Sequence, residues 1–151
     1  MNRKSDQVYA LVKGMQERNI PIDGVGLQFH WSLDQHDSLL DVATNMKRLG
    51  DLGLLVHITE LDIKCVPQNS GRICDSNLLN AQAELYAGIL KTCLDAPSCQ
   101  SFETWGFVDS DSWLGEATAP LLFDRAYNPK PAVAAMINLL LNTSAHSDAL
   151  P

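Results

Sequence analysis

The sequence predicts an α/β domain built on a parallel sheet. Segments of helical and of strand character alternate in the order helix, strand, helix, strand, helix, strand, helix. The segment Leu54–Ile63 is near-continuously apolar, as a strand covered on both faces should be, and the connections are marked by Gly, Pro and Asn.

Val8, Leu11, Val12 and Met15 recur at three and four residues, so a first helix is expected from a Ser5 cap to about Asn19, ahead of Pro21. Gly24 to Trp31 reads as a buried strand, and Asp34 to Leu49 as a helix that Gly50 and Gly53 stop. Leu54 to Ile63 is the most apolar strand. A loop from Lys64 to about Ser76 carries Pro67, Asn69, Ser70 and Gly71, and a long helix follows from Asn77 to about Leu94. After Ala96-Pro97 a third strand spans Ser101 to Val108. A polar, aromatic loop then leads to a last helix that opens at Pro131, where proline suits the first turn. Residues 143–151 are expected to form a flexible tail. This alternation fits βαβ units, and it leaves an open doubly wound sheet and a piece of a (β/α)8 barrel both standing.

The chain has 151 residues, 46% hydrophobic and 19% charged, with a net charge of −7. That apolar fraction supports a packed core and argues against disorder. Scattered Lys and Arg on an acidic chain give phosphate backbones or anionic lipid little to hold, so neither nucleic acid nor a membrane is an expected partner. The apolar stretches Leu52–Ile58 and Ala132–Leu141 fall short of the roughly 20 residues a membrane span needs. No phosphate-cradling GxGxxG or GxxxxGK[ST] pattern follows a strand.

Cys65, Cys74, Cys93 and Cys99 form two short pairs, not a CxxC motif. They read as local disulfides 65–74 and 93–99 in an oxidising compartment, or as free buried thiols in a reducing one; four cysteines allow three connectivities. Asn142-Thr143-Ser144 is a glycosylation acceptor pattern. Met1 to Asp6 leads straight into the amphipathic pattern without an apolar leader, which leaves either a cytoplasmic chain or one whose start lies upstream.

The polar residues within apolar strands carry the chemistry. Glu60 and Asp62 are two apart, so they share a face, near the C-terminal end of their strand, where sites of parallel α/β folds collect. A carboxylate in such a strand is costly unless it is paired, and no Lys or Arg lies in the strand. Gln28 and His30 share a face of the preceding strand, and His30 is placed to orient one carboxylate as a reactive anion. A lone histidine there could equally be a satisfied core residue. His57 has the opposite parity to Glu60 and is expected to face the helices; His36 and His146 are expected in solvent. Trp105 and Trp113, at and beyond the end of the third strand, suit the C–H-rich faces of sugar rings, although either could simply close the core.

Asp23-Gly24-Val25-Gly26-Leu27-Gln28 with His30, His57-Ile58-Thr59-Glu60-Leu61-Asp62-Ile63, Thr104-Trp105-Gly106 with Asp109, Ser112 and Trp113, and Leu121 to Asp124 with Tyr127 and Pro129 to Ala132 together resemble glycoside hydrolase family 10. The resemblance spans about Ser5 to Leu140. It implies retaining endo-β-1,4-xylanase chemistry on a (β/α)8 barrel, with xylan or a related β-1,4-linked polysaccharide as partner and no cofactor or metal. It further implies Glu60 as nucleophile, His30 and Asp62 as the partners that keep it ionised, Gln28 as their neighbour, and Trp105 and Trp113 as aromatic walls. The Cys93–Cys99 spacing resembles a disulfide of fungal members, and secretion is the expected localisation. Phe29 stands where a small residue is usual and Val108 where Thr is usual.

The acid/base of that family is the Glu of an Asn-Glu pair ending the fourth strand, and these 151 residues contain no Asn-Glu dipeptide. The chain therefore reads as about strands 6 to 8 with flanking helices, a partial catalytic domain over residues 1–142 that is expected to be inactive alone. Two other readings stay open. One is a non-catalytic carbohydrate-binding remnant using Trp105 and Trp113; the other is a metal site of His30, Glu60 and Asp62.

Overall fold

The computed structural model of the chain describes the backbone of residues 3–147 and the side chains up to Thr143. In order come α1 (Arg3–Glu17), β1 (Gly24–Leu27), β2 (His30–Ser32), α2 (Leu39–Gly50), β3 (Leu55–Lys64), α3 (Ser76–Asp95), β4 (Cys99–Thr104) and α4 (Pro131–Ser147), with two short 3₁₀ turns, Asp109–Asp111 and Glu116–Thr118, between β4 and α4. Every strand pairing is parallel: β1 and β2 lie one after the other along one edge of β3, and β4 lies along the other. None of the helices among the described residues is long and apolar enough to cross a membrane.

Boundaries moved where side-chain caps outcompeted periodicity. Ser5 lies inside α1, whose end is fixed by Asn19 at φ 55° and by bonds from Ile20 N–H to Met15 O (2.9 Å) and Asn19 N–H to Gln16 O (2.9 Å), a left-handed C-terminal cap. The second helix starts at Leu39, five residues after the expected Asp34, because Ser32 and Gln35 exchange backbone hydrogen bonds in a turn (3.2 and 3.0 Å) and Ser38 supplies the cap, accepting from Asp41 N–H. Asp75 caps α3 in the same way through Leu78 N–H at 2.9 Å. The strand expected over residues 24–31 is interrupted at Gln28-Phe29. The last helix continues to Ser147, five residues into the expected tail; residues 148–151 and the side chains of Ser144 and His146 lie outside the described residues.

One irregularity in β3 organises the site. Gly24 to Leu27 pair with Leu55 to Ile58, an offset of 31, whereas His30 pairs with Asp62, an offset of 32. On the other edge, Ile58 pairs with Phe102 and Leu61 with Thr104, so β3 again holds one more residue than its neighbour. This is a bulge at Thr59-Glu60, and it reverses the alternation. Val56 and Ile58 are fully buried in the core, and beyond the bulge Leu61 and Ile63 take over that face. Tyr86 and Ile89 of α3 and Met46 and Leu49 of α2, each 0–1% exposed, belong to the same core.

His57 therefore shares the open face of the sheet with Glu60 instead of facing the helices. Its Nδ1 lies 2.9 Å from Ser101 Oγ, whose hydroxyl donates to Glu103 Oε1 at 3.1 Å. The hydroxyl has one proton, so Nδ1–H of His57 donates to Ser101.

Both expected disulfides are present. Cys93–Cys99 ties the end of α3 to the start of β4, and Cys65–Cys74 closes the loop that follows β3. With such short loops each stabilises by about 2–3 kcal/mol on the chain-entropy account.

Candidate active site

The C-terminal end of β3 presents Glu60 and Asp62 on the open face. Gln28, in the break between β1 and β2, donates Nε2–H to Glu60 Oε1 at 2.6 Å. His30, the first residue of β2, stands between the carboxylates: Nε2 lies 3.1 Å from Glu60 Oε2 and Nδ1 lies 3.0 Å from Asp62 Oδ2. Trp113 donates its indole N–H to the same Asp62 oxygen at 2.9 Å, and its ring meets His30 edge-on at 5.2 Å. The break at Gln28-Phe29 matters here: together with the bulge it sets His30 opposite Asp62, where a continuous strand in the β1 register would set it opposite Leu61.

Both imidazole nitrogens face carboxylate oxygens, so each contact needs a proton. Asp62 is the buried anchor, with a side chain 0% exposed, while Glu60 at 19% is the carboxylate a ligand can reach. Two donors hold Glu60 in one orientation, one per oxygen, as a nucleophilic carboxylate requires. The ring nitrogens of His30 point at the two carboxylates instead of a common centre, and among the described residues no group of three His, Cys, Asp or Glu is arranged to hold an ion.

Trp105 follows β4, its backbone N–H bonding Leu61 O at 2.9 Å, and its side chain is 49% exposed; Trp113 is 63% exposed. Neither closes the core. Gly106, at φ 123°, turns the chain away after Trp105, and a Cβ there would meet Leu121 Cδ1 at 2.8 Å.

Beneath these residues lies a support that the sequence reading had not given a role. Lys130 Nζ bonds both oxygens of Asp109 (3.3 and 3.2 Å) and Ala119 O (2.7 Å), and Asp109 Oδ1 accepts Leu121 N–H at 2.7 Å. Burial pushes the Asp109 carboxyl up and the Lys130 ammonium down from their ordinary values, with the partner's charge opposing each shift. Gln82 Nε2 donates to Ile63 O and Ala119 O, and Tyr86 O–H to Pro120 O; burial pushes the Tyr86 hydroxyl well up, so it stays a donor. Together these bonds fasten the loop carrying Trp113 to the end of β3. The spacing of Gln82, Tyr86, Ile89 and Cys93 on one helical face was the signal that could have exposed Gln82, a polar residue within a core stripe.

The family model for glycosyl hydrolase family 10 matches residues 1–139. Endo-1,4-beta-xylanase B of Neocallimastix patriciarum is 39% identical over 142 residues, which cover 94% of this chain and 15% of that protein. Native xylanase 10C of Cellvibrio japonicus superposes with a TM-score of 0.85 at 33% identity, over 93% of this chain and 33% of that one. Xylanase 10B of Thermotoga petrophila RKU-1, solved with xylobiose, gives 0.85 at 35% identity, over 95% of this chain and 43% of that one. The chain thus spans less than half the length of each of these relatives.

Proposed function

The chain belongs to glycosyl hydrolase family 10, and from that premise we propose that it is the nucleophile-bearing part of a secreted, retaining endo-1,4-β-xylanase, inactive without the part that carries the acid/base. The observation that carries this reading is the hydrogen-bonded line Gln28–Glu60–His30–Asp62–Trp113, which leaves one carboxylate reachable and held at both oxygens.

In the first step a Glu60 oxygen attacks the anomeric carbon and the glycosidic C–O bond breaks, leaving a glycosyl ester on Glu60. The leaving oxygen takes its proton from a second carboxyl group, which retaining chemistry needs about 5–5.5 Å from the first. In the second step that group removes a proton from water, which attacks the same carbon and releases Glu60 with net retention. His30 and Asp62 keep Glu60 anionic and oriented. Trp105 and Trp113 offer flat apolar surface to the xylose rings at either side of the bond. Extracellular residence fits the two disulfides.

The test is a fusion in which this chain replaces the matching stretch of a solved family-10 xylanase. The fusion should hydrolyse xylohexaose with the β-anomer formed first, and Glu60→Gln should lower turnover by on the order of 10⁴-fold. A folded fusion without hydrolysis, or one whose activity survives Glu60→Gln, refutes the reading. The exposed indoles of Trp105 and Trp113 favour one second reading, a carbohydrate-binding remnant. Tight binding of xylan by the isolated chain, lost in the Trp105→Ala, Trp113→Ala double variant, together with an inactive fusion, would establish that reading instead.

A further inference from the structure

We propose that Arg72–Ile73 is a proteolytic processing bond: a trypsin-class protease, one whose acidic pocket takes a basic side chain, cuts the chain there once, and the Cys65–Cys74 disulfide then keeps the two pieces joined. The inference uses the fold of this chain and does not depend on the xylanase reading.

Such a protease needs Lys or Arg before the cut bond and a segment free to extend into its cleft like an added strand. The chain has 11 Lys and Arg. Lys13, Lys47, Arg48 and Lys91 lie inside helices, whose backbone bonds must open first. A cut at Arg3 or Lys4 removes at most the first four residues and leaves the body of the chain whole. Arg18 is wound into the closing turn of α1, where Asn19 N–H bonds Gln16 O and Ile20 N–H bonds Met15 O, each at 2.9 Å. Lys64 ends β3 with Leu33 N–H on its carbonyl at 3.0 Å, and the next N–H, of Cys65, bonds Thr118 O at 2.8 Å. Lys130 is buried and is followed by Pro131, whose ring blocks cleavage. Arg125 is exposed, but in a tight turn whose Ala126, Tyr127 and Asn128 N–H groups all bond oxygens of Asp124.

Arg72 differs on every count. Gln68 to Ile73 are all exposed, Ile73 at 84%, and residues 71–75 have no regular structure. Asn69 and Gly71 hold φ at 59° and 66°, so extending the loop relieves left-handed backbone instead of straining it. Arg72 N–H bonds Ser70 Oγ at 3.2 Å, a contact within the loop itself. Its guanidinium is attracted by Asp34, a fully exposed carboxylate, and water screens that attraction.

Hydrolysis adds one water. The C–N bond between Arg72 and Ile73 breaks, the Arg72 carbonyl carbon takes the oxygen as a carboxylate, and the Ile73 nitrogen becomes an ammonium. Residues 1–72 then carry β3 with Glu60, while residues 73–151 carry α3, β4, Trp105 and Trp113. Leu61 and Ile63 of the first piece share one core with Tyr86 and Ile89 of the second. Hydrogen bonds also cross between them, from Cys65 N–H to Thr118 O and from Gln82 Nε2 to Ile63 O. Asp75 still caps α3 through Leu78 N–H. Cys65–Cys74 becomes the covalent link between nucleophile strand and aromatic walls.

The experiment digests the full chain with trypsin at low ratio and reads intact mass, gels with and without reductant, and circular dichroism. One internal cut is expected, adding one water to the unreduced mass and giving, on reduction, pieces that end at Arg72 and begin at Ile73. The linked, nicked chain should keep its dichroism and melt within about 4 °C of the uncut one. Arg72→Gln should slow the first internal cut on the order of 10²-fold, because the other internal sites must open first. The Cys65→Ser, Cys74→Ser double variant, once cut, should melt at a midpoint that falls on dilution, as two separate molecules do. A first internal cut at another residue, cutting at many sites at once, or an unchanged rate in Arg72→Gln overturns the inference. So does a linked, nicked chain that loses its dichroism, or a cut double variant whose midpoint ignores dilution. Hydrolysis by the single-chain fusion is read separately, so failure here leaves the functional reading standing.

Discussion

Replacing Lys130 by Met keeps an unbranched apolar stem and removes the cation that bonds both oxygens of Asp109. The two side chains are 7% and 6% exposed, so almost no solvent screens the carboxylate left behind. Ala119 O loses its donor as well. Breaking a buried pair from one side costs about 3–5 kcal/mol. For a chain of this length 1 kcal/mol moves the melting midpoint by roughly 2–4 °C, so Lys130→Met should melt about 6–20 °C lower near neutral pH. The loss should depend on pH in a stated direction. Burial raises the Asp109 pKa in the folded chain, and removing Lys130 raises it further. A folded-state pKa above the unfolded one favours folding only while the group is protonated, and stability falls as pH rises through that window. The deficit of the variant should therefore shrink toward pH 4 and grow toward pH 7. The assay is urea and thermal unfolding followed by circular dichroism between pH 4 and 7. Asp109→Asn in the same chain should recover most of the loss, since no buried charge then remains. A deficit under about 1 kcal/mol, one independent of pH, or a double variant no better than the single would refute the reasoning.

Trp113→Phe keeps a ring but deletes the donor to the buried Asp62, and should cost about 1.5–3 kcal/mol in urea unfolding. Replacing Cys65 and Cys74 by Ser should cost about 2–3 kcal/mol, read from the urea midpoint of the double variant. Asp124 accepts from Asn128 and Ala126, which holds its carboxyl below the ordinary range. Its contribution is present above the usual carboxylate pKa and lost as pH falls through the lowered value, so the gap between Asp124→Asn and the unaltered chain should close in acid, the reverse of Lys130→Met.

What the sequence made legible is what depends on composition and period. The four helices, the parallel sheet, the two local cysteine pairs and the placing of His30 between Glu60 and Asp62 followed from apolar spacing, cysteine proximity and carboxylates in apolar strands, whereas the place of Gln28 beside them followed from the family resemblance. The start of α2 was misread because Asp34 and Ser38 are both acceptable caps, and the Ser32–Gln35 turn that decides between them is a matter of backbone geometry. The side of the sheet taken by His57 was misread because strict alternation assumes no extra residue. The buried pair Asp109–Lys130 joins residues 21 positions apart, and nothing local in the sequence ties them.

The extra residue at Thr59-Glu60 makes β3 two strands in opposite phase that share one backbone. Before it, even-numbered positions are insulated by helices; after it, odd-numbered ones are. The segment Thr59-Glu60-Leu61-Asp62 is thus not a portable motif. Grafted onto a regular strand of another parallel sheet in phase with Val56 and Ile58, it would turn both carboxylates into the hydrocarbon layer and Leu61 toward water. A one-residue deletion here would likewise exchange inside and outside for everything that follows. The transplantable unit is the bulge together with the carboxylates, and a redesigned sheet must supply the first before it can host the second.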